Sequence, residues 1–186
     1  MRKSIFVMTA AVAMMLFGCK ENPYIDAPGE NSHNLDSIPV AADPRPTPDP
    51  EGIDIPEDAI SVYEAVKIAS KLQSGDVTDE VFYIKGWVDS FSEKEHAKSD
   101  FEDKFARYGN DYVYISAVND GSSTKLFYLY RVVGKGGEKL PDHDCIHVGD
   151  FVVVQCAITN YNDIYESNGS CTIEVSTNEH FNEVFN

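Results

Sequence analysis

The first regular signal in the pattern of apolar and polar positions is helical. Val62, Ala65, Val66, Ala69 and Leu72 recur at helical spacing, Ser61 and Glu64 form a capping box, and Gly75 supplies a stop. This predicts a helix over 61–74. Beyond Gly75 the period drops to two. Residues 81–91 set Phe82, Ile84 and Val88 on one face of a strand and Tyr83, Lys85, Trp87 and Asp89 on the other. Residues 111–118 set Val113 and Ile115 against Tyr112 and Tyr114. A turn at Asn119-Asp120-Gly121-Ser122 leads into a third strand, 125–133. Gly149-Asp150 opens a fourth, 151–158, and Asn168-Gly169 precedes a fifth, 171–176. One helix and about five strands make the expected fold class all-β.

The segments before the helix follow other rules. Arg2 and Lys3 precede an uncharged stretch that ends at Gly18, too short to span a bilayer and closed by Lys20 and Glu21. That is the pattern of a secretory signal peptide over residues 1–18. From 19 to 58 the chain holds eight of its nine prolines, and the alternation Asp43-Pro44-Arg45-Pro46-Thr47-Pro48-Asp49-Pro50 forbids a helix or an interior strand. Such composition suits an extended spacer or plain disorder. Residues 59–186 then remain as one domain.

Leu16-Phe17-Gly18-Cys19 resembles the lipobox of bacterial lipoproteins. The resemblance implies that Cys19 is lipidated and becomes the mature N-terminus, so that acyl chains hold the protein on a membrane. An ordinary signal peptide with an incidental cysteine is the alternative. Asp36-Ser37-Ile38 resembles the short O-glycosylation motif of secreted Bacteroidetes proteins.

The domain carries a second resemblance. Tyr83-Ile84-Lys85-Gly86-Trp87-Val88, Tyr112-Val113-Tyr114-Ile115-Ser116, Leu129-Tyr130-Arg131 and Val148-Gly149-Asp150-Phe151-Val152-Val153-Val154 resemble OB-fold domains of Bacteroidetes envelope lipoproteins. This implies a five-stranded, OB-fold-like Greek-key barrel preceded by one N-terminal helix. It also implies a place at the cell envelope, on the outer membrane. Ligands of such barrels lie across strands two and three, between the first connection and the one joining strands four and five. Here those connections are a charge-rich 92–110 and 160–168. The long first loop shapes specificity or is a tolerated surface insertion.

Charge narrows the partners. The chain has 15 Lys and Arg against 31 Asp and Glu, a formal net charge of −16, of which the domain from residue 59 contributes −10. An acidic body disfavours nucleic acid, whose phosphates need clustered cations. An uncharged glycan or a peptide can still stack on flat rings, and Tyr83, Lys85, Trp87, Tyr112, Tyr114, Tyr128 and Tyr130 form the expected binding face. The same rings also suit a purely structural role, stabilising the sheet through cross-strand pairs, or packing on another protein in an envelope assembly.

Reactive chemistry is sparse. No phosphate-cradling loop, nucleophile elbow or distinctive carboxylate pair occurs, so a non-catalytic binding protein without cofactors is expected. Asp142-His143-Asp144-Cys145-Ile146-His147 is the one cluster resembling metal ligands, but it offers no second half and reads as a polar connector. Cys156 and Cys171 would face each other across a symmetric hairpin, as a disulfide or as two buried thiols.

Overall fold

A computed structural model describes residues 43–186. Cys19, the Asp36-Ser37-Ile38 motif and the signal segment lie outside the described residues. A short β1 (Ile60–Ser61) runs into α1 (Val62–Ala69), followed by β2 (Val77–Phe91), α2 (Glu93–His96), α3 (Phe101–Tyr108), β3 (Asp111–Ser116) and β4 (Leu126–Val133). Next come β5 (Phe151–Tyr161), β6 (Ile164–Ser167), β7 (Cys171–Ser176) and α4 (Glu179–Phe185).

Five strands close a barrel. β2 pairs antiparallel with β3, β3 with β4, β7 with β5, and β5 returns to β2. The seam between β4 and β7 is parallel, at Val132↔Cys171 and Val133↔Thr172. This closed five-stranded, Greek-key arrangement is the OB-like barrel expected from sequence, with β1 and β6 as additions. Ile84, Val88, Val113, Ile115, Phe127, Leu129, Val154 and Ile173 are almost wholly removed from water. That burial supplies the main driving force for closure.

Local chemistry sets the helices. Ser61 Oγ accepts from Glu64 N while Glu64 accepts from Ser61 N at 2.8 Å, completing the expected capping box. These bonds, the backbone one foremost, hold the Glu64 carboxyl below its usual range. Val62, Ala65 and Ala69 are fully buried. The helix is shorter than its periodicity suggests: it caps at Ser70, and Gly75 (φ +91°) turns the chain into β2, donating to Asn160 O at 2.7 Å. Leu72 still packs on the core.

Three further features depart from the sequence pattern. Residues 92–110 are not a bare loop, because they fold into α2 and α3, whose Phe101 and Phe105 are buried. Residues 160–168 form a hairpin arm turning at Asn162 and Asp163, both at positive φ, with β6 laid on β5. Residues 43–58, assigned from sequence to the spacer, lie on the barrel. There Thr47 N donates to Ala117 O at 3.0 Å and Tyr63 Oη donates to Pro44 O at 2.9 Å.

No helix among the described residues is long and apolar enough to cross a membrane.

Candidate functional site

The outer faces of β3 and β4 form the floor of a groove, because the residues that alternate with the core positions Val113, Ile115, Phe127 and Leu129 are tyrosines. Tyr114 and Tyr128 are cross-strand partners and stack at 4.7 Å with their planes 25° apart. Tyr130 meets Tyr128 edge-on at 6.3 Å and Tyr112 at 5.5 Å. One wall comes from Ser92 and α2, with Lys94 and Glu95; the other comes from the β5–β6 arm, with Tyr161, Ile164 and Glu166. The cleft holds about 400 Å³. An adjoining cleft of about 450 Å³ shares Glu95 and Tyr130 and is lined by Lys98, Lys104, Tyr112 and Arg131.

A β-bulge builds the junction of the two clefts. Between Asp111↔Val132 and Val113↔Leu129, β4 carries one residue more than β3, and Arg131 takes up the extra residue at φ +56°. A left-handed conformation is costly for arginine and persists only where the surroundings hold it. Its result is that Tyr130 and Arg131 both face outward, the guanidinium lying over the Tyr130 ring at 4.9 Å. Burial pushes the Tyr128 phenol upward, opposed by a hydrogen bond with Ser92. Burial alone pushes Glu166 upward.

The wall bearing α2 and α3 is fixed from below. Asp111, at 2% exposure, accepts from Tyr112 N at 2.7 Å, while His96 Nε2 lies 2.7 Å from the same oxygen. His143 approaches the other oxygen at 3.5 Å. His96 stacks on Phe101 at 4.1 Å and His143 on Phe105 at 3.8 Å. A single buried carboxylate thus joins the insert to the connector after β4.

Four of the expected site residues, Tyr112, Tyr114, Tyr128 and Tyr130, therefore converge, although Tyr112 and Tyr128 keep only 7% of their surface exposed. The other three do not join them. Lys85 and Trp87 line a different cleft of about 390 Å³ on the outer face of β2, whose lining also includes Pro46, Thr47, Pro48 and Asp49. Lys85 is ion-paired with Asp49, and Trp87 packs edge-on against Phe151 at 5.2 Å. Tyr83, also on β2, lines neither groove cleft. Alternation places all seven on outward faces but cannot tell which of them share a cleft. Arg131, Glu95 and Glu166 were missed because only the bulge, the insert and the β6 arm bring them to the groove.

The cysteines resolve as thiols. Cys156 and Cys171 do face each other in the continuation of the β5–β7 register, yet both are free and buried, so the disulfide alternative is not realised. Burial pushes Cys171 up to about 12 and raises Cys156 well above its usual value. Protonated and enclosed, they act as small apolar fillers rather than nucleophiles.

The connector 142–147 acquires the second half it lacks in sequence. Asp142, Cys145 and His180 of α4 bring one ligand atom each to within 4.8 Å of one another. Because α4 has no strong signal in the chain's periodicity, this meeting was not legible beforehand.

The chain matches no protein-family model and no curated protein sequence.

Proposed function

We propose that the chain is a lipid-anchored, non-catalytic binding module of a bacterial cell envelope, and that it takes an uncharged glycan in the tyrosine groove. The observation that carries this is the parallel Tyr114–Tyr128 pair set between two walls bearing Lys94, Glu95 and Glu166. Flat rings suit the apolar faces of sugar rings, and a few convergent polar groups suit their hydroxyls. The anchor rests on the lipobox-like Leu16-Phe17-Gly18-Cys19.

Two other ligand classes fit less well. An extended peptide adds to a sheet through an unpaired strand edge, whereas β3 lies between β2 and β4, and β4 between β3 and the strands β6 and β7. For nucleic acid, Lys98 and Lys104 are already paired with Glu95 and Asp100, and the domain around them is acidic. Titration against immobilised glycans tests the proposal. Wild type is expected to retain a subset of them and Tyr114→Ala to lose it. Equal retention by both proteins, or preference for single-stranded DNA, would reject it.

A further inference from the structure

We infer that Asp142, Cys145 and His180 form a zinc site that fastens α4 to the connector between β4 and β5. Their three ligand atoms differ in kind: a carboxylate oxygen, a sulfur and an imidazole nitrogen. His180 Nε2 lies 3.1 Å from Asp142 Oδ2, and Cys145 Sγ lies 3.8 Å from Asp142 Oδ1. Ligand atoms on a tetrahedral zinc shell, with bonds of about 2.0 to 2.3 Å, stand roughly 3.3 to 3.6 Å apart. The two contacts use different oxygens of Asp142; with one ligand atom taken from each residue, all three lie within 4.8 Å of one another, so closing on one ion asks for shifts of about 1 Å.

The surroundings orient them. Asp142 Oδ1 accepts from Asp144 N at 3.0 Å, which leaves Oδ2 turned toward α4. His180 points Nε2 at the cluster while Nδ1 faces Glu183 Oε2 at 3.9 Å. That distance is too long for a hydrogen bond, but it puts a carboxylate on the side of the ring from which a zinc-bound imidazole is usually supported. Cys145 is fully buried at the floor, whereas Asp142 and His180 keep 48% and 39% of their side chains exposed, so an ion has a route in from solvent.

The donor set selects the metal. Thiolate and imidazole suit zinc, while calcium and magnesium call for oxygen alone. One thiolate and one carboxylate also neutralise a divalent charge at a site otherwise closed on one side. Three protein ligands leave a fourth position for water. The connection is structural in effect: the turn His143–Cys145 and α4 belong to distant stretches of the chain, and the ion would join them as a clip.

The test is zinc titration of the full chain after chelator dialysis, with cobalt as a spectroscopic substitute. Wild type is expected to bind one zinc ion per chain and to give a thiolate-to-cobalt charge-transfer band. Cys145→Ser should lose the band. His180→Ala, a change at a partly exposed side chain, should weaken zinc binding at least about tenfold while circular dichroism stays native, and Glu183→Gln should weaken it less. Absence of zinc binding by wild type, or unchanged affinity in folded His180→Ala, would overturn the site.

Discussion

A carbon added at Gly86 would stand 2.7 Å from Val62 Cγ2 and 2.9 Å from Ser116 O, closer than real side chains approach. Gly86 sits in the middle of β2, flanked by the buried Ile84 and Val88, and α1 presses Val62 onto the space its missing side chain leaves. Ser116 O belongs to backbone and cannot yield, so Gly86→Ala should destabilise by about 1–3 kcal/mol, as overpacking does. In Val62→Ala the methyl that crowds the new carbon is absent. Chemical denaturation of both single variants and the double variant should therefore show a double variant less unstable than the two changes added together.

The groove and the cleft beside Trp87 have no lining residue in common, which separates their roles. Tyr114→Ala and Tyr130→Ala should each weaken retention on a bound glycan by about tenfold or more, since truncating an aromatic that anchors a bound partner costs about 2 kcal/mol. Trp87→Ala should leave retention unchanged and instead lower the melting temperature, because its ring packs against the buried Phe151. Affinity measured alongside thermal unfolding for the three variants checks both halves.

The barrel was legible because each strand alternates in its own local sequence. Val113 and Ile115 against Tyr112 and Tyr114 announce an inside and an outside without reference to any other strand. The elements that went unseen draw their order from tertiary contacts. Residues 92–108 are rich in charge, and α3 forms because Phe101 and Phe105 find His96, His143 and Tyr112. β6 is four residues long and depends on its pairing with β5. The proline run near Pro46 looks like a spacer since proline excludes regular structure, yet Thr47 between two prolines retains the donor that meets Ala117 O.

That donor makes a prediction about residues 43–58. Thr47 also accepts from Asn119 N through Oγ1 at 2.8 Å, and Asp43 pairs with Lys125. Thr47→Ala should cost about 1 kcal/mol by leaving Asn119 N without its acceptor. Limited proteolysis should find 43–58 resistant in wild type and cut faster in Thr47→Ala and Lys85→Ala. Cleavage at equal rates in all three would show that these residues are not held on the barrel.

Asp111 should govern the order of the groove's α2–α3 wall. Its carboxylate receives Tyr112 N and faces both His96 and His143 from a position almost closed to water. Asp111→Ala removes the acceptor and leaves those donors unmatched, a change expected to cost about 1–3 kcal/mol. Hydrogen exchange should quicken across 93–108 while β5 and β7 stay protected. Uniform loss of protection would mean instead that the carboxylate supports the whole barrel.

Glu166 should make stability fall with rising pH. Burial raises its pKa in the folded protein above the value of an unfolded chain, with no cation opposing the shift. Between those two values the folded state binds more protons than the unfolded one, so stability declines as pH climbs through the window and stays lower above it; below the unfolded value the penalty is absent. Glu166 lies beside Tyr128 in register and shares the groove with Lys94 and Glu95, so the charge it gains is carried into the proposed binding site. Glu166→Gln keeps the shape and removes the ionisation. It should melt above wild type at about pH 7, with the difference shrinking toward about pH 3, where free glutamate is protonated. A melting difference that does not vary with pH would assign the effect to packing rather than to charge.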